Sequence, residues 1–97
     1  MKQGFNVLES RARQLFSSGR PGDAIKIYFF MADGDPFLDG GYLSKKIAEC
    51  YESMGDFHAA KYWYGRAVEE NPEARIDCAN ARQRVAKVAK IDDLLLP

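Results

Sequence analysis

No stretch of this chain stays apolar for long. The longest uninterrupted run, Ile27-Tyr28-Phe29-Phe30-Met31-Ala32, falls far short of the roughly 18 residues that a membrane span needs. Met1-Lys2-Gln3-Gly4 leads into mixed polar and apolar residues and not into the apolar core of a secretion signal. A soluble, cytoplasmic protein with no membrane partner is therefore expected. Net charge is also missing: 14 basic and 14 acidic side chains sum to zero, which removes the usual electrostatic case for nucleic acid. Cysteine is scarce, and Cys50 and Cys78 stand in no metal-ligand spacing. Two reduced thiols are expected, with a disulfide left open by the spacing alone. A single histidine, His58, excludes chemistry built on paired imidazoles. What the composition does supply is 46% hydrophobic and 12% aromatic residues over 97 positions, which suits one small folded domain.

The two halves of the chain repeat at an offset of 36. Gly19 answers Gly55, Ala24 answers Ala60, Tyr28 answers Tyr64 and Pro36 answers Pro72, with Ala12 and Leu15 answering Ala48 and Tyr51 in the same register. Within each unit the apolar spacing is helical: Leu8, Ala12, Leu15 and Phe16 share a face, as do Ile47, Ala48 and Tyr51, and Ala60, Tyr64 and Ala67. Gly19 and Gly55 suit helix ends, Pro21 and Asp23 suit a first helical turn, and Asp56 and Asn71 suit caps. Strand signals are absent, and Asp33-Gly34-Asp35-Pro36 reads as a turn between helices. The spacing predicts five helices, over about 5–18, 21–33, 41–54, 57–70 and 73–92.

These residues resemble a known family. Ile47-Ala48, Tyr51, Gly55-Asp56-Phe57, Ala60, Tyr64, Ala67 and Pro72 are similar to the pattern of the tetratricopeptide repeat, a helix–turn–helix unit of about 34 residues. The first unit agrees at Ala12, Leu15, Gly19, Ala24, Tyr28 and Pro36, but Arg11 replaces a large apolar residue and Met31 a small one. The two extra residues of the longer period are expected within 37–41. The resemblance implies an all-α fold, a short right-handed superhelical array of antiparallel helix pairs. It implies one domain over 1–97, with repeat one at about 5–36, repeat two at about 41–72 and a capping helix at about 73–92. Met1 and that closing helix are expected to bound a whole protein. Such units stack because none can bury its apolar face alone.

The resemblance also implies a concave groove lined by the first helix of each unit. By alignment its positions are Asn6, Glu9, Ser10, Arg13 and Ser17, then Tyr42, Lys45, Lys46, Glu49 and Ser53, with Asn80, Gln83 and Lys87 from the closing helix. Arg13, Lys45, Lys46 and Lys87 could pair with carboxylates of a partner segment, and Asn6, Asn80 and Gln83 could bond its backbone. Glu9 stands where a clamp lysine for chaperone tails belongs in this family, which argues against that particular client.

No catalytic constellation is present, and no enzyme, metal or cofactor is expected. His58 has no nucleophile at a motif spacing, and Cys50 and Cys78 read as small hydrophobes. Gly34, Gly40 and Gly41 do not form a phosphate loop. Asp33, Asp35 and Asp39 lack the downstream glutamate of a calcium loop.

Two surfaces remain. Arg82, Arg84, Lys87 and Lys90 crowd a stretch with no acid. They are expected to favour the negative end of the closing helix, the alternative being contact with an acidic protein or nucleic acid. No aromatic residue interleaves them, which argues against base stacking. Ile27, Phe30 and Trp63 fall on the outer side of the second helices, either as core or as a self-association patch. The function expected is a non-enzymatic interaction module (adaptor, co-chaperone or assembly factor) for a protein or peptide segment. The alternatives are a self-associating scaffold, a homo-oligomer built on the apolar patch, and a nucleic-acid accessory protein using the basic helix. The fold does not choose the partner.

Overall fold

Two glycines stop helices in the same way. In the computed structural model, which describes residues 2–34 and 40–96, Gly19 and Gly55 take φ of 76° and 81°. The backbone bonds around them match at the offset of 36. Gly19 donates to the Phe16 carbonyl and Arg20 to that of Leu15; Gly55 donates to Glu52 and Asp56 to Tyr51, all at 2.9–3.1 Å. This paired closure satisfies the last carbonyls of a helix and requires a left-handed residue at its centre.

Between such stops the chain forms α1 (Lys2–Ser17), α2 (Pro21–Asp33), α3 (Tyr42–Ser53), α4 (Phe57–Glu70) and α5 (Ile76–Leu95). No strand occurs among the described residues, and the fold is all-α. Pro21 opens α2 with Asp23 in its first turn, and Asp56 caps α4 by accepting from the Ala59 amide at 3.2 Å. Most of the expected two-residue insertion, and the turn at Asp35-Pro36, lie outside the described residues.

The last helix departs from the sequence expectation at both ends. Asn71 accepts from the Ala74 amide at 3.3 Å, but 72–75 form a turn and the helix begins only at Ile76. Arg75 breaks the run at φ −114°, ψ 37°, and its side chain donates to the Gly40 carbonyl at 3.1 Å. At the other end α5 continues to Leu95, so its last turn holds Asp92 and Asp93 and no base. Arg82, Arg84, Lys87 and Lys90 therefore do not offset the negative helix end as expected, because that end lies beyond them.

Each helix packs chiefly on its neighbours in chain order, and the described residues extend 47 × 30 × 19 Å. Ala12, Ala24, Ala48, Ala60 and Ala67 are all fully buried, as close helix approach requires. One cluster joins α1, α2 and α3 around Tyr28, Leu43 and Ile47; a second joins α3, α4 and α5 around Tyr64, Cys78 and Val85. Tyr51 and Trp63 pack against both clusters. Phe29 meets Tyr51 and Trp63 edge-on, with ring centroids 6.2 and 5.5 Å away. Among the described residues no helix is long and apolar enough to cross a membrane.

Ion pairs tie α3 to α5. Lys45 reaches Asp77 at 2.6 Å, and Arg84 binds the Glu52 carboxylate. Both pairs span 32 residues, so α3 and α5 run in the same direction. The hydrogen bond from Arg84 holds the Glu52 carboxyl below its ordinary range, and that from Lys45 does the same for Asp77. A carboxyl lowered on folding contributes stability above its unfolded pKa of about 4 and loses it as pH falls through the folded value. Melting temperature is thus expected to drop between about pH 5 and pH 3, and more steeply than in a Glu52→Gln, Asp77→Asn variant. Asp77 is more than half exposed, so screening keeps its share small. Equal slopes in the two proteins would remove these pairs from the account.

Candidate functional site

Helical spacing places Asn6, Glu9 and Arg13 on one face of α1, at i, i+3 and i+7. That face looks toward α3. A hollow of about 310 Å3 is lined by Phe5, Asn6, Glu9, Arg13 and Tyr42. A second, of about 130 Å3, is lined by Arg13, Phe16, Ser17, Tyr28, Lys46 and Glu49. Arg13 borders both, so the two hollows lie side by side as a groove across α1 and α3. Asn6, Glu9, Arg13, Ser17, Tyr42, Lys46 and Glu49 from the expected set meet there.

The other expected residues do not join them. Lys45 turns to α5 and is engaged by Asp77, whose hydrogen bond raises the lysine pKa. Asn80, Gln83 and Lys87 are exposed on α5 and border neither hollow. Ser10 and Ser53 are exposed as well.

The groove floor is a buried carboxylate. Glu9 is 8% exposed, accepts from the Tyr28 hydroxyl at 3.0 Å and pairs with Arg13 at 2.7 Å. Burial, followed by the bond to Glu9, pushes the Tyr28 phenol far above its ordinary pKa. Burial and Glu9 also push Tyr42 up to about 12. Lys46 lies over the Tyr42 ring, 5.4 Å from its centroid, and pairs with Glu49 at 3.3 Å. Each groove cation therefore has an acid beside it. The groove offers hydrogen-bonding groups and an aromatic wall more than net positive charge, unlike the reading in which Arg13, Lys45, Lys46 and Lys87 act as free cations. Phe5, Phe16 and Tyr28 were not expected in the wall. The i, i+4 spacing of Glu9 and Arg13 was the one signal pointing to their pair.

The apolar patch expected at Ile27, Phe30 and Trp63 is not continuous. Ile27 and Trp63 are half-buried and pack against the core, because Phe29 draws Trp63 inward; Phe30 alone stays 71% exposed. The larger apolar exposure lies at the end of α5, at Ile91, Leu94, Leu95 and Leu96.

The thiols of Cys50 and Cys78 are free and buried, and burial raises them to about 12 and about 11. That makes both poor nucleophiles. His58 pairs with Asp93 through Nε2 at 2.9 Å on the surface. Among the described residues no group of three or more His, Cys, Asp or Glu side chains is arranged to hold a metal ion. No protein-family model, curated protein or solved structure matches the chain.

Proposed function

We propose that this chain is a non-enzymatic interaction module of the tetratricopeptide kind, an adaptor, co-chaperone or assembly factor that holds a segment of another protein. The observation that carries this reading is the pair of hollows between α1 and α3, polar with an aromatic wall, that share Arg13 as a border. The helix stops that match at the 36-residue offset and the packing of helices in chain order support the repeat assignment. In this reading the helix pairs form a short right-handed superhelix, and an extended segment lies along its inner face. The Asn6 amide bonds the partner backbone, Tyr42 supplies an aromatic contact, and Arg13 and Lys46 exchange their own carboxylates for the partner's. Two free thiols suit a reducing compartment such as the cytoplasm.

Photo-crosslinkers placed at Asn6 and at Phe30 test the groove directly. Crosslinking of a partner from position 6 and not from 30 is expected. An Asn6→Ala, Lys46→Glu variant should lose about tenfold in affinity for that partner. Its melting temperature should stay within roughly 5 °C of the parent, since neither side chain is in the core. Lys45 is left alone, because its partner Asp77 belongs to α5 and reversing it would break a tie between α3 and α5. Undiminished binding by the variant would reject the groove. Self-association keeps the support of one observation, the exposed apolar end of α5; a concentration-independent monomer mass in light scattering would remove it.

A further inference from the structure

A separate cleft opens between α4 and α5. It has a volume of about 420 Å3 and is lined by His58, Lys61, Tyr62, Arg66 and Glu69 of α4 and by Arg82 of α5, with Gly65 on its floor. Arg82 lies two residues from Arg84, hence about 200° around the helix. Since Arg84 reaches α3, the cleft faces away from α3 and from the groove. Its lining is net positive, with Lys61, Arg66 and Arg82 against Glu69; Arg66 pairs with Glu70 at 3.8 Å, and among the described residues Lys61 and Arg82 enter no ion pair.

The internal repeat indicates what such a cleft receives. Where α4 carries Lys61 and Gly65, α2 carries Ile25 and Phe29 at the offset of 36. In that earlier place Phe29 is covered by a following helix, through its edge-on contact with Trp63 of α4, and Ile25 is buried. The later place has no helix over it among the described residues, and at the position of the buried Ile25 it carries Lys61. Gly65 weakens the interior of α4, so its presence there calls for a reason. A Cβ at that point would lie 3.3 Å from Arg82 Nε. The glycine lets the Arg82 side chain lie across α4, in the place where Phe29 stands in the first unit.

We propose that this cleft docks an acidic amphipathic helix of a partner protein, set against α4 and α5 as α4 is set against α2 and α3. Its carboxylates meet Lys61, Arg66 and Arg82, and as the exposed Arg82 side chain turns to its carboxylate one bulky apolar side chain takes its place over Gly65 beside Tyr62. Charge selects the partner and the space over Gly65 sets its register. The site lies on a different face from the groove, so the two assignments fail independently.

The test titrates the full chain with two tryptophan-free, helix-stapled peptides, each of 14 residues to match α4. One carries Glu along a face with a central Phe; the other has Lys for every Glu. Trp63, the single tryptophan, reports binding through its contact with Tyr62. The acidic peptide is expected to bind and the basic one not. A Lys61→Glu, Arg82→Glu variant, both positions being exposed, should weaken the acidic peptide by about tenfold or more and admit the basic one. Gly65→Leu, which occupies the space over α4 without changing charge, should also weaken binding, whereas Asn6→Ala, Lys46→Glu should not. Circular dichroism confirms that each variant stays folded. Equal binding by the charge-reversed variant, unchanged binding by Gly65→Leu, or no binding by the parent chain would overturn the proposal. Displacement by inorganic phosphate at constant ionic strength would also overturn it, leaving a small-anion site.

Discussion

Alanine in place of Gly41 is expected to destabilise the chain by about 2–4 kcal/mol, through strain and a backbone collision together. Gly41 precedes α3 with φ 86°, a conformation that costs an L-residue about 1–2 kcal/mol. Here the added Cβ would also lie 2.7 Å from the Ala67 carbonyl oxygen and 3.3 Å from its Cα. Those atoms belong to the backbone of α4 and can move away only if α3 and α4 separate. Gly55 provides the control. Its φ is 81°, but nothing lies within 4 Å of its Cβ position, so Gly55→Ala should cost only about 1–2 kcal/mol. Urea denaturation of the two variants isolates the packing part of the effect. Equal losses would show that Ala67 does not limit the approach. Because Gly41 directly precedes Tyr42, the same variant should also weaken partner binding in the groove.

Ile47→Ala is expected to cost about 2–4 kcal/mol, by removing buried methyl groups and leaving a cavity. That corresponds to a fall of roughly 10–25 °C in melting temperature for a chain of this size. Ile47 is fully buried in α3, in the cluster that joins α1, α2 and α3. Ile27→Ala should cost less, since that side chain is only half-buried. Phe30→Ala, at a position 71% exposed, should change stability by about 0.5 kcal/mol or less. A loss at Phe30 as large as that at Ile47 would mean that Phe30 is covered, as by a second copy of the chain. Thermal melts over a hundredfold range of protein concentration distinguish that case.

Helix positions could be read from the residues because their signals act locally. Gly19 and Gly55 close their helices through bonds to residues three and five positions back, and Asp56 caps through an amide three positions on. The start of α5 could not be read this way. Asn71-Pro72-Glu73 carries the residues of a helix start, but Arg75 is drawn to Gly40, 35 positions away, and the helix waits until Ile76. Trp63 was ambiguous for the same reason: its burial depends on Phe29, on another helix.

The candidate groove divides along the same line. Periodicity alone assembles Asn6, Glu9 and Arg13 on one face of α1, since 3.6 residues per turn is a property of the helix and not of its surroundings. Which cation is drawn away to another helix is a tertiary matter. Lys45 lies beside Lys46 in the chain, but one turns to Asp77 on α5 and the other to Glu49 on its own helix. The sequence thus carried the all-α class, the helix stops and the repeat, each set by interactions a few residues long. The packed structure decided that Glu9 is buried, that Lys45 is engaged, and that a basic cleft lies open beside Gly65. Those outcomes depend on which helices meet, and the side chains involved stand up to 32 residues apart in the chain.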